Sequence, residues 1–105
     1  MIKDEVVEAA VWRLQKPENA ASTYGYKIKA EKMLSVVKAF EMKKHNGLPV
    51  SAQEREAYAS EAYAKQIDIV LNCEIQWQKF RMKVEADKAL IDVYRTQQAN
   101  MRGNI

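Results

Sequence analysis

The sequence predicts an all-α protein. The expected form is an elongated antiparallel helical hairpin of coiled-coil character, with one very long C-terminal helix, dimerising into a four-helix arrangement. Three observations carry this expectation. Apolar residues recur at spacings of three and four along most of the 105 residues. One short alternating run, Tyr24, Tyr26 and Ile28, has no second such run to pair with as a strand. From Ser51 to Arg102 there is neither Gly nor Pro, so nothing punctuates that stretch.

A first helix is expected over about 2–15. Val6, Val7, Ala10, Val11 and Leu14 fall on one face, and Asp4, Glu5 and Glu8 in the early turns complement the helix dipole. Lys16-Pro17 interrupts it, because the residue before a proline is driven out of helical geometry and Pro17 suits the first turn of a new helix. The second helix, about 18–46, reads through Gly25 at a cost of roughly 1 kcal/mol. Its apolar stripe is taken as Tyr26, Ala30, Met33, Val37 and Phe40. His45-Asn46-Gly47-Leu48-Pro49 ends it, with Gly47 suited to a left-handed cap and Pro49 unable to continue.

Ser51-Ala52-Gln53-Glu54 has the form of a capping box and opens a third helix over 51–102, which would be about 78 Å long. Its heptad places Tyr63, Val70, Trp77, Val84 and Ile91 at one seam position. The other seam position takes Gln66, Cys73, Phe80, Asp87, Tyr94 and Met101. A second stripe, Leu71, Ile75, Met82, Ala86, Ala89, Leu90 and Val93, covers another side, and a helix apolar on two sides is buried on two sides. A compact monomer of this length has a radius of gyration of about 13 Å, into which such a helix does not fit. The second stripe is therefore the expected homodimer interface, centred on Leu71, Ile75, Met82, Ala86, Leu90 and Val93. The competing arrangement breaks the helix near Asn72 and gives a compact monomeric four-helix bundle. Either way the 105 residues form a single helical domain.

Composition removes several function classes. One His and one Cys supply too few ligands for an ordinary zinc site and no intrachain disulfide. The net charge is only +3, which announces no nucleic-acid binder by itself. No stretch approaches the ~18 uncharged apolar residues of a membrane span, and the acidic N-terminus lacks the apolar core of a signal peptide. The expected location is cytoplasmic, with no membrane partner. The three glycines lie at 25, 47 and 103, so no glycine-rich phosphate loop exists.

Few residues invite chemistry. His45 reads as a helix-end residue rather than a general base or metal ligand. Cys73 reads as a small buried hydrophobe among Val70, Trp77 and Phe80 rather than a reactive thiol. The carboxylate pairs Glu54/Glu61 and Glu85/Asp87 are expected to be solvated or bridged to bases one turn away. Asp87 stands apart because the heptad turns it inward, where it would pair with Lys83 or Lys88 or fix the seam's register. No catalytic, cofactor or metal site is expected.

The bases are unevenly spread: residues 1–50 hold nine bases and six acids, residues 51–105 eight of each. Lys27, Lys29 and Lys32, beside Tyr24 and Tyr26, form either a solvated flank or a weak phosphate-contacting patch. In the acid-free run Tyr94–Arg102, Arg95, Gln98 and Arg102 share one helical face. That face either complements the helix dipole or docks a partner or phosphates.

The text Tyr94-Arg95-Thr96, Ala99-Asn100 and Arg102, preceded by Ala57-Tyr58 and Ala62-Tyr63, resembles a group of small uncharacterised helical accessory proteins of phages and prophages. The resemblance covers about the last fifty residues, and such proteins usually carry Trp where this chain has Tyr94. It implies an accessory role in phage DNA metabolism, within a bacterial host cell, and brings no catalytic residue. The combined expectation is a non-enzymatic interaction protein that docks on a protein partner. The alternative is a nucleic-acid-binding module using Lys27, Lys29, Lys32, Arg95 and Arg102.

Overall fold

A computed structural model describes the backbone of residues 1–103 and the side chains of residues 1–16 and 20–103. The described residues are helical with no strand. The helices are α1 (Asp4–Leu14), α2 (Pro17–Lys43), α3 (Val50–Tyr58) and α4 (Glu61–Gly103). They form two compact units. The first comprises residues 1–21 with the described part of 78–105, and the second residues 22–77.

The expected helix over 51–102 is two helices, and the break falls at Ala59-Ser60 rather than near Asn72. Ser60 causes it. Its Oγ accepts the Tyr63 backbone N–H at 3.2 Å and donates to the Ala57 carbonyl at 2.7 Å. It therefore caps α4 while closing the last turn of α3, and serine is among the residues favoured at a helix start. The Ala59 N–H reaches Arg55 O and the Ser60 N–H reaches Ala57 O, which completes that turn. From Glu61 onward α4 runs through Asn72 without interruption.

Two other expected helix ends take different forms. Ser51 is no cap: α3 starts one residue earlier, with Pro49 at the cap position and no side-chain cap bond. The Gln53 N–H donates to Pro49 O, and the Gln53 side chain donates to Leu48 O at 2.8 Å. Gly47 takes no positive φ. Instead α2 ends at Lys43, earlier than expected, and tapers into tight turns in which Lys44, His45 and Leu48 bond carbonyls three residues back. The Lys16-Pro17 interruption stands where the sequence placed it.

In the first unit α1 lies antiparallel to α4. The Ile2 N–H donates to Gln97 Oε1 at 3.2 Å, the Tyr94 hydroxyl to Asp4 Oδ1 at 2.8 Å, and Arg13 pairs with Asp87. Val7 and Ala10 are buried beneath these contacts. In the second unit α2 lies antiparallel to α4. Tyr24 meets Trp77 with ring centroids 5.2 Å apart, Lys27 reaches Glu74 at 3.5 Å, and Ala30 sits beside Gln66.

The seam of α4 follows the expected heptad: Tyr63, Gln66, Val70, Cys73, Trp77, Phe80, Val84, Asp87, Ile91 and Tyr94 are all buried or half-buried, while Met101 is exposed. The seam of α2 follows expectation in part: of the expected stripe Ala30 is buried and Met33 and Val37 are half-buried, but its two aromatic ends are not. Tyr26 is 66% and Phe40 62% exposed. The inward positions are Thr23, Lys27, Ala30, Leu34, Val37 and Glu41, again spaced four and three. This stripe is harder to see because three of its six members are polar. Lys27 lays its stem inward and its ammonium on Glu31 and Glu74, and Glu41 accepts from Lys44.

The apolar core is thin. Among the described residues Val7, Ala10, Ala30 and Ala57 are the buried apolar ones, and no large side chain is fully buried. Alanines at helix contacts let backbones approach closely but contribute little apolar area.

Candidate interaction surfaces

Each unit has a buried polar side chain of α4 engaged at its seam. In the second, Gln66 Nε2 donates to the Ala30 carbonyl at 3.0 Å. That carbonyl lies mid-helix in α2, so the amide supplies a second donor to an oxygen with two lone pairs. In the first, Asp87 is held by Arg13 and by neither Lys83 nor Lys88 as its ion-pair partner. Arg13 Nε donates to Oδ2 at 3.0 Å and Nη2 to Oδ1 at 2.7 Å. Lys88 turns instead to Glu85 at 3.7 Å. The Arg13 bond holds the Asp87 carboxyl below the ordinary carboxylate range, against the opposing effect of burial.

The remaining carboxylates of the expected pairs are bridged to lysines, Glu54 to Lys38 at 3.5 Å and Glu61 to Lys65 at 3.4 Å. His45 lies half-buried in the turn after α2, and Cys73 half-buried on the α4 seam. Among the described residues no group of three or more His, Cys, Asp or Glu converges as metal ligands would.

The structure separates the six residues singled out as partner or phosphate contacts. Lys27 is engaged: Glu31 at 2.8 Å and Glu74 at 3.5 Å surround its ammonium, whose proton is held more tightly than usual, chiefly by Glu31. Lys29 and Lys32 are exposed on the outward face of α2, and among the described residues neither lies within ion-pair distance of a carboxylate. Arg95, Gln98 and Arg102 belong to the first unit, the three lysines to the second. Arg95 is exposed beside a groove of about 250 Å³ that it lines with Leu14, Lys88, Ile91 and Asp92. Gln98 is half-buried and Arg102 exposed.

The second α4 stripe is largely uncovered. Leu71 (57%) and Ile75 (41%) are exposed in the second unit, and Met82 (71%), Ala86 and Val93 (48%) in the first. Leu90 is half-buried.

Sequence reasoning missed part of the outward face of α2. Lys29, Lys32, Val36, Phe40 and Lys43 follow one another at spacings of three, four, four and three, which sets them on a single stripe. Val36, Phe40 and Lys43, with Ser35 and Ala39, line a groove of about 290 Å³. The spacing was present in the sequence, but assigning Phe40 to the core hid it.

In comparisons of the chain with known proteins, no family model, no curated protein and no solved structure matched.

Proposed function

We propose that the chain is a non-enzymatic helical interaction protein that dimerises and docks on a protein partner. The observation that carries this reading is the contrast between core and surface. Among the described residues the buried apolar set is one valine and three alanines, while Met82, Val50, Phe40 and Leu71 are each more than half exposed. Small units with so little apolar burial are marginal on their own, and uncovered apolar stripes of this kind mark association surfaces. A second copy covering Leu71, Ile75, Met82, Ala86 and Val93 is the simplest closure, since an isologous contact needs only one self-complementary face. The C-terminal resemblance suggests the setting, an accessory role in phage or prophage DNA metabolism in the cytoplasm of the host.

The test is the mass in solution by light scattering at micromolar concentration. The expected value is twice the chain's 12.1 kDa. Met82→Asp, at a position 71% exposed within the chain, is expected to return it to one chain without unfolding it. A monodisperse wild-type mass of one chain would overturn the dimer.

Lys29 and Lys32, which have no ion-pair partner among the described residues, support a second reading, contact with nucleic acid together with Arg95 and Arg102. Its signature is oligonucleotide affinity that falls steeply with salt as counterions are released.

A further inference from the structure

We infer that the outward face of α2 is a docking groove for an acidic amphipathic helix of a partner protein. The inference rests on the docking reading above and gives that partner a chemistry. Three features meet on the stripe Lys29, Lys32, Val36, Phe40 and Lys43.

The first is unsatisfied apolar surface. Phe40 is 62% and Val36 40% exposed, and with Ala39 they wall the groove of about 290 Å³. The second is charge. Lys29, Lys32 and Lys43 border this apolar centre, and among the described residues none has a carboxylate within ion-pair distance. The two acids on the surrounding turns are turned away and occupied, Glu31 by Lys27 and Glu41 by Lys44, each at 2.8 Å. Among the described residues the three lysines of this face are therefore not neutralised by an ion pair. The third is shape. The stripe is straight along one helix, with charged positions toward both of its ends and apolar ones between.

A helix laid alongside would present apolar side chains at i, i+3, i+4 and i+7 to Val36 and Phe40, and carboxylates to the flanking lysines. Exposed rim charges of this kind set orientation and association rate, and the apolar centre supplies affinity. A phosphate backbone would use the lysines but leave Val36 and Ala39 uncovered, which favours the peptide.

The experiment uses the full chain and a fluorescein-labelled peptide of glutamates and leucines with the leucines at i, i+3, i+4 and i+7. A scrambled peptide of the same composition, a single-stranded oligonucleotide and anionic lipid vesicles serve as competing probes. Anisotropy is read for wild type, for Phe40→Ser and for Lys29→Glu/Lys32→Glu, with circular dichroism to verify helix content and light scattering to verify mass. The inference expects the amphipathic peptide to bind better than the scrambled one, and both variants to weaken it at least about tenfold at unchanged helix content. It is overturned if the peptide does not bind, if the scrambled peptide binds equally, or if the variants bind as wild type does. It is also overturned if the variants lose oligonucleotide or vesicle binding and the peptide is ignored. Loss of the inference with the two-chain mass intact leaves the dimer standing, whereas a one-chain mass removes the dimer whatever the peptide does.

Discussion

Arg13 and Asp87, 74 residues apart, form a two-pronged ion pair in which the carboxylate is only 8% exposed and the guanidinium 36%. The fork of the guanidinium matches both carboxylate oxygens, so the pair fixes direction as well as proximity. It is the contact that aligns the end of α1 with α4 in the first unit.

The pair makes stability depend on acid. The folded Asp87 binds its proton less readily than the unfolded residue, whose pKa is about 3.9. Its contribution is therefore complete above that value and is lost as the pH falls through the lower folded value. Asp87→Asn is expected to melt on the order of 5 °C below wild type at neutral pH, with the gap closing in strong acid. Thermal melts of both proteins across the acid range check this; a gap independent of pH would contradict it.

Ser60 separates α3 from α4 through one accepted and one donated bond. Ser60→Ala removes both, and a lost cap costs about 1 kcal/mol. Urea denaturation is the check. The expected result is a lower midpoint with an unchanged slope.

Ala30 is 5% exposed where α2 and α4 meet, with the Gln66 amide on its carbonyl. Ala30→Leu overfills that contact and is expected to destabilise by about 1–3 kcal/mol. The same change at Ala39, exposed on α2, should cost nothing measurable, which makes the pair a control for helix propensity.

Gly25 lies within α2, and a Cβ added there meets nothing within 4 Å. Gly25→Ala is expected to stabilise by up to about 1 kcal/mol, since alanine restricts the unfolded chain and favours the helix. Thermal melts of both proteins check this; equal or reduced stability would contradict it.

The helical class and the α4 seam were legible because the apolar seam from Val70 to Tyr94 keeps a seven-residue period broken only at Asp87. The α2 seam was legible only in part, at Ala30, Met33 and Val37: Thr23, Lys27 and Glu41 read as surface residues until their partners are seen, while Tyr26 and Phe40 continue the apolar spacing without being buried. The break at Ser60 escaped notice because Tyr63, rather than Glu or Gln, stands where a capping box would close. The candidate surface was half legible: Lys29 and Lys32 were marked by charge, whereas Val36 and Phe40 gained meaning only once their exposure was known.

The thin core carries a consequence for abundance. With one valine and three alanines as the buried apolar residues among those described, and the larger seam side chains only half-buried, the native state leaves room for stabilisation from outside. Any molecule that covers Phe40 or Met82 in the folded chain and ignores the unfolded one adds stability by mass action, about 2.7 kcal/mol at a hundredfold excess over its Kd. Proteases that take the opened chain then act fastest when that molecule is scarce. On the docking reading proposed above, the supply of that partner would then set the lifetime of the protein in the cell.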